Sequence, residues 1–353
     1  MTAAALSGLH HLKIFVFDLE ASLDWYQRVF GAPFVPPQSK ERFMSKNPAV
    51  APPDRIDPLH PAHDAVPLNA APTEIVAEWP AGTFLENLAP GVNGKTWFVT
   101  SPTDRAVYAV GPDKSVHNAA RFDGTPTGIA SHPQMGTLTA VGTQGKPDWR
   151  LYRLAPAGAE AVCDLPDVLG ANGMTWVGDR LLVVDSPRSL VVSVDVVTGT
   201  ADTWLQHPLL TPADVGSPLP GINGLTVHAG YVVMTSSDRG LILRVPAASR
   251  HPADDIEVVA ERLVGDDLAA APDGRLFIAT HTYHSVLCLH PDGRREDIAT
   301  HEDRVTGPTA VAVSDGPFPA VYVSTSGGLL SPPAGGVEPA RLMRVDALRT
   351  STD

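Results

Sequence analysis

Cysteine is scarce in this chain, which carries only Cys163 and Cys288 among 353 residues. Two cysteines inside apolar runs cannot build a disulfide framework, so we expect them to be small hydrophobic side chains in a reduced protein. No window approaches the roughly 18 unbroken apolar residues of a transmembrane helix. The opening, MTAAALSGLHHLK, lacks the basic and apolar blocks of a secretory signal. These absences predict a cytoplasmic protein with no membrane partner.

Basic residues are also in short supply. Lysine and arginine number 26 against 39 aspartates and glutamates, which gives a formal net charge of -13. Proteins that bind nucleic acid concentrate basic side chains on one face, and this sequence has no such cluster. An acidic surface does not repel a neutral molecule or a cation. We therefore expect a small-molecule substrate and no nucleic-acid partner.

The first 72 residues differ in pattern from the rest. Within residues 1–36, LHHLKIFVFD is typical of a strand and LEASLDWYQRVFGA of an amphipathic helix. Residues 37–72 are rich in proline, alanine and histidine and have almost no apolar periodicity, which is typical of a linker. The sequence predicts a short strand–helix appendage joined by this linker to a larger domain.

The strand–helix opening resembles the start of a vicinal oxygen chelate, or glyoxalase-like, module. In such modules a histidine near the end of the first strand is a metal ligand, and His10 or His11 matches it here. The partner strands that would carry the remaining ligands are missing from the sequence. We therefore interpret the appendage as structural rather than as a working glyoxalase site.

From residue 73 onward the sequence is a series of short apolar runs bounded by Gly, Asp, Pro or Ser, the pattern of an all-β fold. A short motif opens each group of runs, and we call its polar residue the anchor. The six anchors are Glu86, Thr127, Asn172, Asn223, Asp266 and Thr309. Their spacings of 41, 45, 51, 43 and 43 residues are those of a propeller with about four strands per blade. The sequence thus predicts a six-bladed β-propeller over residues 73–348, followed by a tail at 349–353.

The ends of this repeat indicate how the propeller closes. The last group, from Pro308, has no fourth strand, whereas TEIVAEW at 73–79 precedes the first inner strand. We predict that residues 73–79 complete the last blade as its outermost strand, because this pairing covers edges that would otherwise be exposed.

The anchors should meet at one mouth of the central channel, because every inner strand starts on the same face. The oxygens of Glu86, Asn172, Asn223 and Asp266 suit a hard divalent cation such as Ca²⁺. For Thr127 and Thr309 we expect hydrogen bonds to the backbone instead, since a hydroxyl is a weak ligand on its own.

The phrases ANGMTW, INGLTV, RLLVVDS and APDGRLFIAT resemble the senescence marker protein / gluconolactonase / luciferin-regenerating enzyme family over residues 80–348. The resemblance implies one divalent metal held by a Glu, an Asn and an Asp, and lactone-opening activity in many members. The Glu matches Glu86 and the Asn matches Asn172. Asn223 stands where the family has Asp, and Asp266, one blade further on, could supply the missing charge.

The sequence therefore predicts a metal-dependent hydrolase of the gluconolactonase type, which opens a lactone or similar cyclic ester. The metal would polarise the carbonyl, and a nearby base would take the proton of a water. Asp185 and His281, both at ends of second strands, are the candidate bases, and the family carries an Asp-Ser pair at the first of these places. The alternative for His281 and His284 is a solvated loop.

Two other functions stay open at this stage. One is a metal-independent cyclase or condensing enzyme of a natural-product pathway, which would use the same ring of polar side chains through hydrogen bonds. The other is a non-catalytic propeller that binds a partner. The replacement of a family Asp by Asn223 favours the first of these over a standard lactonase.

Overall fold

The computed structural model describes residues 63–214, 217–315 and 319–348. The predicted strand–helix appendage, the glyoxalase-like histidines, most of the predicted linker and the tail at 349–353 lie outside the described residues. Within the described ranges the chain forms six four-stranded antiparallel sheets. The prediction of an all-β, six-bladed propeller is confirmed.

Blades are numbered by their inner strands in chain order. From the channel outward, blade 1 comprises β2 (Leu88–Pro90), β3 (Trp97–Ser101), β4 (Ala106–Val110) and β5 (Val116–Arg121). Blade 2 comprises β6 (Thr125–His132), β7 (Gly136–Gly142), β8 (Arg150–Ala155) and β9 (Gly158–Asp164). Blade 3 comprises β10 (Ala171–Val177), β11 (Arg180–Asp185), β12 (Leu190–Asp195) and β13 (Thr200–Gln206). Blade 4 comprises β14 (Ile222–His228), β15 (Tyr231–Ser236), β16 (Leu241–Pro246) and β17 (Glu257–Glu261). Blade 5 comprises β18 (Leu268–Ala270), β19 (Leu276–Ala279), β20 (Ser285–Leu289) and β21 (Arg295–Thr300). Blade 6 comprises β22 (Pro308–Val313), β23 (Val321–Thr325), β24 (Pro339–Val345) and β1 (Thr73–Ala81).

The strands follow from their side-chain patterns. Strand β12, LVVSVD, is buried at five of its six positions, because a middle strand of a blade packs against neighbouring blades on both faces. Strand β13, TADTWLQ, lies at the outer edge and buries only Leu205. Apolar layers between adjacent blades, such as the one that contains Leu182, Val232 and Leu243 of blades 3 and 4, form the core.

Hydroxyl groups near the ends of second strands join several blades to the next. Thr100 Oγ1 donates to the backbone oxygen of Thr127 at 2.8 Å, and Thr235 Oγ1 donates to that of Asp266 at 2.7 Å. Each of these bonds satisfies a polar group in the interior and fixes an anchor residue of the following blade. The small polar residues that end the second strands therefore align the inner strands around the channel.

Ring closure occurs as the sequence predicts. Strand β1 pairs antiparallel with β24 and becomes the outermost strand of blade 6. Arg341 on β24 is buried and donates from Nε to Glu78 on β1 at 2.9 Å. The edge of the last blade is covered, and the first and last parts of the described chain are held together.

Residues 63–72, which we call the strap, lie along the outer edge of blade 5. Leu68 forms a parallel bridge with Asp297 on β21. Main-chain hydrogen bonds join Asp64 to Arg262, Pro67 and Asn69 to Asp297, and Ala71 to Ile298. These residues fall in the predicted linker, and in the structure they pair with the outer edge of blade 5 through one isolated β-bridge and a few main-chain hydrogen bonds.

Helical structure in the described ranges is limited to three 3-10 turns, Pro208–Leu210, His281–Tyr283 and His301–Asp303. None of the helices described is long and apolar enough to span a membrane.

Candidate functional site: an acidic ring at the channel mouth

The anchors are displaced from regular pairing where they reach the channel. In blades 2, 3, 4 and 6 the register between the inner and second strands shifts at the anchor. Such bulges rotate a side chain out of the alternating pattern, and they are common next to functional sites. In blades 3 and 4 the bulges fall at Asn172 and Asn223, whose side chains each hydrogen-bond to the anchor of the next blade.

Four polar side chains, one each from blades 1, 3, 4 and 5, form a continuous hydrogen-bonded chain. Asn87 Nδ2 donates to Asn172 Oδ1 at 3.2 Å, and Asn172 Nδ2 donates to Asn223 Oδ1 at 2.6 Å. Asn223 Nδ2 donates in turn to Asp266 Oδ1 at 2.5 Å. Glu86 lies beside this chain, and the Asn172 amide partly offsets the rise that burial causes in the pKa of Glu86. The structure thus brings together the four residues predicted to hold a metal, which are Glu86, Asn172, Asn223 and Asp266. We call these four residues the channel ring.

His281 extends the channel ring at Asp266. Its Nδ1 lies 2.6 Å from Asp266 Oδ2, and its Nε2 lies 3.3 Å from Ser326 Oγ. A carboxylate at Nδ1 fixes the tautomer with the proton on that nitrogen, which leaves Nε2 as an acceptor. Asp266, His281 and Ser326 therefore form an acid–base array supplied by blades 5 and 6.

The turn that carries His281 is tightly specified. His281 has φ of 22° and His284 has φ of 53°, both in the left-handed region that ordinary residues rarely adopt. Thr280 Oγ1 donates to the Ser285 backbone oxygen at 2.7 Å and so closes the turn. His281 is only 9% exposed and His284 only 3%, so neither lies in a solvated loop. Backbone strain of this kind persists only where several surrounding contacts hold the conformation, and it is concentrated at functional sites.

Two carboxyl groups of the site, Glu86 and Asp267, have raised pKa values. Burial raises the pKa of Glu86 well above its usual value, and the neighbouring Asp266 and Asp267 carboxylates raise it further. Burial also raises the pKa of Asp267 to about 8, against the effect of backbone N–H groups of Leu268 and Val311. Among the described residues, no lysine or arginine forms an ion pair with these three carboxyl groups. Burial and the neighbouring acidic groups therefore favour the protonated, neutral forms of Glu86 and Asp267 unless a cation stabilises their ionised forms.

Sequence reasoning missed two members of the site, Asn87 and Asp267. Both occupy the second position of the anchor motif, where three of the other blades have glycine and the sixth has Ala310. A large polar residue at a position otherwise reserved for the smallest side chains was the available signal.

The two threonine anchors hydrogen-bond to the backbone, as expected. Thr127 Oγ1 donates to the Ala171 oxygen at 2.6 Å, and Thr309 Oγ1 donates to the Ser324 oxygen at 3.1 Å. Their hydroxyl groups are therefore already engaged in joining strands.

Asp185 occupies a different environment from His281. Its side chain is fully buried and accepts hydrogen bonds from the backbone N–H groups of Leu169 and Arg188, at 3.1 and 3.4 Å. In the described part of the chain, no hydrogen bond connects it to the channel ring. The structure places Asp185 where it holds the segment leading into β10.

The donor set of the channel ring fits a hard divalent cation. Its members offer only carboxylate and amide oxygens, which Ca²⁺ prefers, and a bound ion would stabilise the ionised form of Glu86 against burial. The amide and carboxylate oxygens now accept hydrogen bonds from neighbouring amides, and rotation of those amides would free them.

A second cluster with metal-ligating side chains lies on blade 5, where Cys288, His290 and Glu296 approach one another. Arg294 donates to Glu296 at 2.7 Å, and its other terminal nitrogen lies 3.0 Å from His290 Nδ1. His290 Nε2 lies 2.7 Å from Glu296, which completes a satisfied network. The guanidinium group supplies the positive charge there, so we interpret this cluster as structural.

An acidic channel mouth on a six-bladed propeller thus defines the class of protein. Residues 8–51 match the Glyoxalase/Bleomycin resistance protein/Dioxygenase superfamily and lie outside the described residues. No curated protein matches the chain significantly.

Similar folds are found among solved structures. One is a candidate gluconolactonase, with a TM-score of 0.57 and 14% identity, over 80% of this chain and 93% of the other. Luciferin-regenerating enzyme has a TM-score of 0.57 and 10% identity, over 79% and 96%. A calcium-binding protein, regucalcin from Agrobacterium tumefaciens, has a TM-score of 0.55 and 13% identity, over 80% and 97%. At these identities the comparisons establish a shared fold.

Proposed function

We propose that this protein is a divalent-cation-dependent hydrolase that opens a lactone or similar cyclic ester at the channel mouth. The observation that supports the proposal is the set of oxygen ligands that Glu86, Asn172, Asn223 and Asp266 bring together at the channel mouth, where no lysine or arginine of the described chain pairs with the carboxyl groups. Burial disfavours the ionised forms of Glu86 and Asp267, and a divalent cation among oxygen ligands would stabilise them. We expect Ca²⁺ to be the ion.

The channel ring would hold the ion through Glu86, Asn172, Asn223 and Asp266. A bound divalent ion supplies Lewis acidity, which polarises an ester carbonyl and lowers the pKa of a water. The rest of the chemistry falls to the protein. Its acidic lining excludes anionic molecules from the mouth and favours a neutral cyclic ester.

His281 is the base that the geometry favours. With Nδ1–H donating to Asp266, Nε2 can accept the proton of a water or a hydroxyl group. Asp266 would stabilise the imidazolium that results, and Ser326 Oγ at 3.3 Å would hold the plane of the ring. Asp185, the other candidate from the sequence, has its oxygens occupied by backbone N–H groups, so we assign it no proton transfer.

The structural neighbours agree with this proposal in kind. One is described as calcium-binding and another as a candidate gluconolactonase. Both cysteines are free thiols in the structure, which suits the cytoplasm that we propose as the compartment.

A second function has a specific observation in its favour. Amide oxygens of Asn172 and Asn223 already accept hydrogen bonds at 3.2 and 2.6 Å, so the channel ring is closed by its own side chains. A cation-independent acid–base enzyme, using Asp266 and His281 alone, would need no rotation of those amides.

Calorimetric titration with CaCl₂, paired with hydrolysis assays on a panel of lactones, tests the proposal. We expect binding to the wild type, loss of binding and of hydrolysis in Glu86→Gln, and no effect of Glu160→Gln, an exposed outer-strand control. Hydrolysis without added ion that survives Glu86→Gln would favour the cation-independent enzyme. Absence of both binding and turnover would overturn the hydrolase proposal.

A further inference from the structure

His63, a residue of the strap, lies at the rim of the site although it precedes the first strand of the propeller. Its ring stacks on Tyr283 with centroids 3.8 Å apart and planes inclined by 16°. Its Nδ1 accepts a hydrogen bond from the backbone N–H of Val264 at 3.0 Å. One side chain therefore contacts two separate segments of blade 5.

Those two segments carry the acid–base pair. Val264 lies two residues before Asp266, and Tyr283 lies two residues after His281. The 2.6 Å hydrogen bond between Asp266 and His281 requires these segments to keep a fixed separation. Because His63 contacts both segments, it connects the stretch of chain that carries Asp266 with the stretch that carries His281.

The turn itself needs such external support. His281 has a positive φ, a conformation that an isolated chain would leave, and it depends on contacts with its surroundings. Within the turn, Tyr283 N–H donates to the Thr280 oxygen at 2.8 Å, so a stack on the tyrosine ring acts directly on the closed turn.

The rest of the strap holds His63 in place. Arg262 Nε donates to Asp64 at 2.6 Å, and the adjoining backbone pairs with the same arginine residue. The strap then runs along β21 to Ala71. Because several hydrogen bonds already hold the strap in place, the His63 side chain loses little conformational entropy when it packs on Tyr283.

We propose that His63 is a positioning residue for His281, which the strap supplies to hold the Asp266–His281 pair in its hydrogen-bonded geometry. Its importance for turnover rests on the proposed role of His281 as base. The geometric claim does not depend on that role, and it can be tested without substrate or cation.

Proton NMR of the full chain provides the test. A short N–H to carboxylate bond moves its proton far downfield, and loss of the signal in His281→Gln assigns it. We expect His63→Ala to broaden or remove this signal while the thermal midpoint stays near that of the wild type. His63→Phe retains the stack and His63→Asn retains the acceptor, so each should recover part of the signal.

Hydrogen exchange of the backbone amides of residues 280–285 gives a second measurement. His63→Ala should speed it roughly three- to tenfold, the effect of losing one hydrogen bond and one ring contact. His132→Ala is the matched control, because His132 also pairs with an aromatic ring, Trp176, and also accepts from backbone N–H groups, but on blade 2. An unchanged signal and unchanged exchange in His63→Ala, or equal changes in His132→Ala, would overturn the proposal.

Discussion

Gly224 of blade 4 packs directly against Asp267 of blade 5. A Cβ atom on Gly224 would stand 2.5 Å from the Asp267 Cα and would overlap its carboxyl group. Gly224 N–H also donates to the Asp266 backbone oxygen at 3.0 Å. The missing side chain therefore lets the adjacent blades 4 and 5 approach closely enough for Asn223 and Asp266 to hydrogen-bond to each other.

Gly224→Ala should destabilise the protein by about 1–3 kcal/mol, because the added methyl group must displace backbone rather than a flexible side chain. It should also weaken divalent-cation binding by moving Asn223 away from Asp266. Denaturant unfolding measures the first effect and calorimetry the second. Gly335→Ala is the control, since no atom lies near its Cβ and its φ is not positive. Equal stability of the two variants would contradict the close-packing account.

Asn223→Asp should make the fold more dependent on cations. The change replaces the 2.5 Å hydrogen bond to Asp266 with a repulsion between carboxylates, so the thermal midpoint without ions should fall. With Ca²⁺ the variant should bind more tightly than the wild type. At a hundredfold excess over the dissociation constant, the ion stabilises by about 2.7 kcal/mol. Scanning calorimetry with EDTA and with CaCl₂ checks both directions, and a variant indifferent to CaCl₂ would count against the channel ring as an ion site.

Acid should destabilise the fold through His284. Burial lowers its pKa to about 4, the nearby His281 and His301 lower it too, and Glu338 opposes them. The folded state keeps His284 neutral, with Nδ1 accepting from Gly307 N–H at 2.9 Å. As pH falls below 6.5 the unfolded chain binds a proton that the folded chain refuses, so the free energy of unfolding drops until about pH 4. The loss should be on the order of 3 kcal/mol.

His284→Asn isolates this effect, because asparagine tolerates the left-handed conformation and its side-chain oxygen can accept the same bond. Urea unfolding between pH 7 and pH 4 should show a shallower decline for the variant than for the wild type. Parallel pH curves would assign the acid sensitivity to other groups.

Removal of the strap should weaken blade 5 without opening the ring. A chain that begins at Ala71 loses the main-chain bonds of Asp64, Pro67 and Asn69. At ordinary hydrogen-bond strengths this costs about 1–3 kcal/mol. A chain that begins at His63 keeps every bond of the strap and is the matched control. Thermal unfolding compares the two, and equal midpoints would show that the strap adds nothing to stability.

Much of the fold could be predicted from the chain alone. The anchor spacings indicate six blades, and the missing fourth strand of the last group indicates the closure by β1. The convergence of Glu86, Asn172, Asn223 and Asp266 follows from the same repeat, because equivalent positions of a propeller meet at one mouth. The hydrogen bonds among these side chains could not be predicted from the sequence. They depend on β-bulges and on the close approach of neighbouring strands, which glycine allows.

The sequence by itself determined the period of the strands, the number of blades and the polar character of the channel mouth, because these depend on local patterns repeated along the chain. Only the tertiary structure decided which polar groups bond to which. Asp266 and His281 pair because a turn with positive φ returns beside the inner strand. His63 contacts the segments that carry this pair because the strap docks on blade 5. Asn87 of blade 1 donates to Asn172 of blade 3, although blade 2 lies between them in the chain. Such contacts depend on distances between separate blades, which no local pattern encodes.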